Sequence, residues 1–241
     1  DRADVIITST RHAADLLIRQ FGCPARKIYP VPDGVNPGTF IPRWEVAEAK
    51  KIRLRRALEI PAGRKVVVYL GLLAEYQGCG HLLRAAARIL DRRHDVHFLL
   101  MGYPGQERYR ALAEQLGIAR HVTLTGRIAY EHAPLYLALG DLAVSPKLSE
   151  TEGNGKLLNY MAVGLPVVAF RTPVAREILG DLGVFATPGD DAALAAALTT
   201  LLDDERLADD LGRRLRERVV QHYSWDDLAG RILDVYQIVL K

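Results

Sequence analysis

Lys65–Leu70 reads KVVVYL, Gly71–Gly78 reads GLLAEYQG, and Gly80–Leu90 reads GHLLRAAARIL. A strand with one face in water alternates apolar and polar residues. The first stretch does not alternate after its lysine, so it predicts a strand covered on both faces, as in a parallel sheet. The glycine-bounded loop and the helical pattern behind it complete a strand–loop–helix unit. Working outward, the unit recurs. Val96–Met101 is a strand, Gly102–Gly105 its loop and Glu107–Leu116 its helix. Val122–Thr125, Leu142–Val144, Pro166–Phe170 and Val184–Ala186 are further strands. Ala133–Leu139, Lys156–Ala162, Asp191–Leu202, Glu205–His222 and Trp225–Leu240 carry helical patterns. Upstream, Val5–Thr8 and Ile28–Val31 are short strands around a helix at Arg11–Phe21, which Gly22 ends, and Glu45–Leu58 is a basic helix. Strand and helix alternating in this way predict an α/β fold, a doubly wound parallel sheet that is Rossmann-like. Ligands of such sheets bind beyond the carboxyl ends of the strands. The loops at 71–78, 102–105, 126–131, 145–155 and 171–176 are therefore the ones to search.

The chain has 241 residues, 49% of them hydrophobic and 25% charged, with a net charge of +3. This fits one large globular domain, or one domain and part of another. It excludes a disordered, collagen-like or disulfide-framed chain. The charge is nearly balanced and has no basic block, so no nucleic acid partner is expected. Cys23 and Cys79 stand alone, which fits a reducing cytoplasm and offers no metal site. The scattered histidines give no metal face either. No apolar run approaches the ~18 residues of a membrane span. The chain opens on Asp1, Arg2, Ala3 and Asp4 without an initiator methionine, which predicts a fragment or a processed product.

The loop richest in chemistry is Glu150-Thr151-Glu152-Gly153-Asn154-Gly155-Lys156-Leu157. Two acids that can accept from sugar hydroxyls stand before two glycines and a helix start. The first amides of a helix point outward with partial positive charge and suit a phosphate, and Lys156 adds a full charge. The alternative is a capped helix behind a surface loop. The spacing is not that of a P-loop, because Leu157 stands where Ser or Thr would hold Mg²⁺. Gly71–Gly78 and Gly102–Gly105 are weaker signals, each equally readable as a plain turn from strand to helix.

Five segments, in order, resemble one family. Val31–Pro42 (VPDGVNPGTFIP) is similar to its linker PNGVDxxxFxP. Val66–Leu90 is similar to xxGRLxxxKGxxxLIxAxxxL, and Glu152–Phe170 (EGNGKLLNYMAVGLPVVAF) to EGxxxKLxEYMAxGxPVVA. Thr172–Leu179 matches the stretch that usually ends in Glu-Ile, and Tyr223–Tyr236 the terminal FSWExxAxxxxxxY. The chain thus resembles the carboxyl-terminal half of the family-4 retaining glycosyltransferases, whose GT-B fold sets two Rossmann-like domains face to face. The resemblance implies that residues 1–40 are the end of an amino-terminal domain and the linker. It makes residues 41–223 the nucleotide-sugar-binding domain and residues 224–241 a helix crossing back toward the absent acceptor domain.

It also implies roles. Glu152, or Glu150, is the acid facing the donor sugar, with Gly153, Asn154 and Gly155 beside it. The helix start at Lys156 and Leu157 holds diphosphate oxygens, and Asn159 falls where the family has the ribose-binding Glu. Arg127 and Ile128 meet the base edge through their backbone, and Glu177 is supporting structure. Gly71 begins the loop in which the family's diphosphate-binding Arg and Lys are replaced by Leu72 and Gln77. Glu152 and Asn159 are seven positions apart where the family's acids are eight apart, so the register slips by one or Glu150 is the first acid. The expected activity is transfer of a sugar from a UDP- or GDP-sugar to an acceptor, with no metal and no cofactor beyond that substrate. The alternative is a non-catalytic nucleotide or scaffold module of the same fold with a degenerate donor site. The expected place is the cytoplasm, with the inner membrane face as an alternative: the basic helix Lys50–Arg56 reads first as a solvated helix and second as a peripheral contact with anionic lipid.

Overall fold

The structure is a computed structural model and describes residues 3–240. Asp1, Arg2 and Lys241, which belong to the expected terminal segments, lie outside the described residues. The central sheet contains β3 (Lys65–Leu70), β4 (Val96–Met101), β5 (Val122–Gly126), β6 (Leu142–Ser145), β7 (Val167–Phe170) and β8 (Val184–Ala186). All pairings are parallel, in the order β5-β4-β3-β6-β7-β8. Counted from β3, this is the 3-2-1-4-5-6 order of a Rossmann sheet. A separate two-stranded parallel sheet joins β1 (Ile6–Thr8) to β2 (Ile28–Pro30) through α1 (Arg11–Phe21).

The sheet has a core on each face, as the unbroken apolar strands predict. Val67, Tyr69, Phe98 and Leu100 point to the side covered by α3 (Cys79–Leu90), α4 (Gln106–Gln115) and α8 (Asp191–Asp203). Val66, Val68, Leu99 and Met101 point to the side covered by α5 (Ala133–Leu137), α6 (Gly155–Ala162), α7 (Pro173–Leu179) and α9 (Glu205–His222). All of β4 is buried.

Most expected elements appear within one or two residues of their expected ends. Two differ. The basic helix α2 runs Glu48–Ala57, starting later than expected, and buries no residue. It begins at Ala47 with no side-chain cap, while the chain before it is tied down by the Arg43 N–H, which donates to the Val163 carbonyl at 2.8 Å. The second difference is α7, which forms where a ligand-binding loop was expected over 171–176. Thr172 caps it by accepting from the Ala175 N–H, and Pro173 sits in its first turn, where the absent N–H costs nothing. Finally, α10 (Trp225–Val239) starts beside the linker. The Val35 N–H donates to the Tyr223 carbonyl at 2.9 Å and the Trp225 N–H to the Val35 carbonyl at 3.2 Å. Among the described residues, no helix is long and apolar enough to cross a membrane.

Candidate functional site

The chain leaves β3 in one direction and β6 in the other, so the carboxyl ends of these neighbours form the switch point of the sheet. Their ladder registers Val67 with Leu142 and Val68 with Ala143 and goes no further. Beyond it the strands diverge, and Tyr160 of α6 fills the gap. Its hydroxyl accepts from the Leu70 N–H at 2.7 Å and lies 3.3 Å from the Val144 carbonyl. This satisfies a strand amide that the neighbouring strand no longer reaches. Burial raises the Tyr160 pKa, so the hydroxyl stays protonated.

The two loops leaving these strands are pressed together. Gly78 has a φ of 77°, and a methyl group there would stand 1.9 Å from the Pro146 carbonyl oxygen. The Leu148 N–H donates to the Tyr76 carbonyl at 2.9 Å. The crevice walls are thus joined by backbone contacts before any side chain is considered.

Lys156, in the first turn of α6, crosses this crevice. Its ammonium donates to the amide oxygen of buried Gln77, lies 3.4 Å from the Tyr69 hydroxyl and sits 4.7 Å from the centre of the Tyr69 ring. A methyl group on Gly71 would come within 2.9 Å of Lys156 Cε, so the glycine leaves the path of the side chain open. Burial is the main cause that lowers the Lys156 pKa to about 7; Lys147 lowers it further, while Cys79 and Glu152 raise it.

The residues expected at the site fall into three groups. Gly71, Leu72, Arg127 and Ile128 line one cavity of about 240 Å³ with Leu70, Met101, Gly102 and Tyr103. Its wall is mostly apolar, and the Arg127 guanidinium lies 5.2 Å from the centre of the Tyr103 ring. Leu72 is exposed and brings no charge. Gln77 and Lys156 meet beneath the same loop.

The third group is the acid loop. Glu150 and Glu152 are exposed, and Asn154 is buried, with its amide donating to the Ser145 hydroxyl at 3.0 Å. Because Asn154 is so engaged, no side chain caps α6. Gly155 has open space around it, whereas a methyl group on Gly153 would stand 2.9 Å from an Asp33 carboxylate oxygen. The space between this loop and Ser9, Pro32 and Asp33 is only about 10 Å³, room for no more than a water.

Two further expected residues stand on α6 outside these groups. Leu157 is fully buried, and its amide donates to the Asn154 carbonyl at 2.9 Å, leaving the outward amides to the residues before it. Asn159 lies one turn further along α6, its side-chain oxygen 3.5 Å from the Tyr130 hydroxyl. Glu177 is structural, as expected: its carboxylate accepts from the Arg11 N–H at 2.8 and 3.1 Å and from the His12 N–H at 3.3 Å, capping α1.

Sequence reasoning passed over Lys147 and Tyr160, and it named Tyr103 only within the weak Gly102–Gly105 signal. Lys147 stands two residues beyond β6, at the carboxyl end of the strands, where sheets of this kind bind ligands, and this position is its only signal. Its side chain is 6% exposed, and its ammonium lies 2.9 Å from a Glu152 carboxylate oxygen and 2.8 Å from the Gly153 carbonyl.

A family profile for "Glycosyl transferases group 1" matches residues 50–218. The D-inositol 3-phosphate glycosyltransferase of Corynebacterium urealyticum is 33% identical over 253 residues, an alignment covering 98% of this chain and 57% of that protein. The sucrose-phosphate synthase of Thermosynechococcus elongatus superposes with a TM-score of 0.84 at 26% identity, covering 99% of this chain and 59% of that one. Anabaena HepE in complex with UDP-glucose superposes with a TM-score of 0.87 at 20% identity, covering 98% of this chain and 64% of that one, which shows a shared fold. The chain spans under two thirds of the length of each of these proteins. With a profile match over most of its residues and the α/β sheet of such enzymes, the chain belongs to the group 1 glycosyltransferase family.

Proposed function

We propose that this chain is the donor-binding, carboxyl-terminal half of a retaining glycosyltransferase that moves a sugar from a UDP- or GDP-sugar to an acceptor. The observation that carries the reading is the meeting of Lys156 with Gln77. The family resemblance expects a cationic side chain at position 77. Here the charge comes from α6 instead and ends at the same loop. An ammonium and the first amides of α6 then face the diphosphate as it leaves with the bonding electron pair, and pre-placed positive charge lowers that barrier without reorganisation. The 240 Å³ cavity beside Arg127 takes the base, and the Glu150–Gly155 loop takes the sugar. No resident metal or other cofactor enters this scheme.

In the same reading, residues 1–40 and 224–241 belong with an amino-terminal acceptor domain. The exposed Leu233, Tyr236 and Ile238 of α10 supply an apolar face for that contact. The protein works in the cytoplasm, where Cys23 and Cys79 stay free thiols, and α2 touches anionic lipid from one side. A second reading, a binding module with a degenerate donor site, draws on Leu72, which leaves one expected cation unreplaced.

Calorimetric titration with UDP, GDP and ADP and with their sugars separates the two. The donor-site reading expects binding of at least one nucleoside diphosphate, weakened about tenfold or more by Lys156→Met, the effect of one charge-assisted contact. No binding at millimolar nucleotide would overturn it. Binding without sugar transfer by the full-length protein would leave the module.

A further inference from the structure

We propose that Lys147 is the positioning residue of the donor-sugar site, anchoring the Glu152 carboxylate to the end of β6. The role rests on the donor-site reading above. Lys147 is set by backbone that cannot move easily. Pro146 before it packs its carbonyl against Gly78, and the Leu148 N–H after it is bonded to the Tyr76 carbonyl. Its buried ammonium needs partners, because an unpaired charge out of water is costly. Both partners come from the tip of the acid loop: Glu152 Oε2 at 2.9 Å and the Gly153 carbonyl at 2.8 Å.

The tip has little else to hold it. The Glu152 N–H reaches the Ser149 hydroxyl only at 3.4 Å. Lys147 is therefore a bridge from rigid sheet to loop. It takes one carboxylate oxygen, while the Glu152 side chain stays 56% exposed, open to a sugar hydroxyl. The two lysines of the crevice divide the work. Lys156 reaches the loop after β3, where the diphosphate is expected, and Lys147 reaches the acid. The Glu152 charge is directed by Lys147, so losing the lysine is expected to affect sugar recognition more than nucleotide recognition.

The test compares affinities for UDP and UDP-glucose, and for GDP and GDP-mannose, in the wild type, Lys147→Met, Lys147→Arg and Glu152→Gln. For whichever pair binds, Lys147→Met is expected to lose about fivefold or more for the nucleotide sugar and less than about twofold for the diphosphate. Lys147→Arg should restore most of the loss, and Lys147→Met should add little on top of Glu152→Gln. Equal losses for diphosphate and nucleotide sugar, or an undiminished loss in the Glu152→Gln background, would overturn the proposal. Hydrogen exchange of residues 149–153 reads the anchor without any ligand. Lys147→Met should speed it about tenfold or more, and unchanged exchange would also overturn the proposal. A wild type that binds none of the four probes, with exchange still responding to Lys147→Met, would instead condemn the donor-site reading.

Discussion

Lys156 begins from an ordinary lysine value of 10.5 and, once folded, titrates at about 7. Between these values the unfolded chain holds a proton that the folded chain has shed. Stability from this residue therefore rises with pH across that window, and the cost of the buried charge is fully present below it. An anionic ligand reverses the preference, because it binds the protonated form and raises the folded pKa toward the unfolded one. The ammonium donates to the Gln77 amide oxygen, and the titratable groups around it are Tyr69 on β3, Cys79 on α3, Lys147 just past the end of β6 and Glu152 in the acid loop. A nucleotide sugar is the right probe, since its diphosphate bridge does not titrate near neutrality. Its affinity should fall about tenfold from pH 7 to pH 8.5, as the free lysine deprotonates, and Lys156→Met should flatten that profile. A profile equally steep in the variant would place the titrating group elsewhere. Lys156 was legible in the sequence because it stands one residue into a helix behind two glycines. Lys147 was not, because its partners lie across a loop whose path no local pattern states.

At the scale of elements, α7 shows what local reading loses. Thr172 and Pro173 are a helix start that can be read directly, but the segment lies at the carboxyl end of a strand, the position that ligand loops of such sheets also occupy. The helix is short, and its work is distant. Glu177 near its end takes the first amides of α1, adding to the Thr10 hydroxyl, which accepts from the Ala13 N–H at 3.0 Å. One carboxylate thus joins the small β1–β2 unit to the main sheet. Glu177→Ala should cost about 1–2 kcal/mol, at the upper end for a helix cap, because the acceptor is charged and serves two amides. Urea unfolding with an unchanged slope would read it. A loss below a few tenths of a kcal/mol would mean that water replaces the carboxylate at no cost.

At the scale of the whole molecule, the alternation of strands and helices was legible because strands covered on both faces cannot hide their apolar runs. The same logic put ligands at the carboxyl ends of the strands. What no single element states is how closely the two halves of the sheet approach, since that contact joins loops far apart in the chain. Gly78 is where it becomes a constraint on sequence. A side chain there meets both an unfavourable left-handed backbone and the Pro146 carbonyl, and the obstacle is main chain that cannot rotate away. Gly22, which ends α1, has a similar φ of 64° but nothing within 4 Å of an added methyl group. Gly22→Ala should therefore show only the backbone cost, about 1 kcal/mol, and leave nucleotide affinity alone. Gly78→Ala should cost about 2–4 kcal/mol. By pushing the loops apart, it should also weaken nucleotide binding, because Gln77 moves away from Lys156. Unfolding and titration of both variants test the comparison. Equal costs would mean that the crevice walls yield without penalty. A Gly78→Ala protein that is destabilised yet binds nucleotide normally would mean that the junction supports the sheet but not the site.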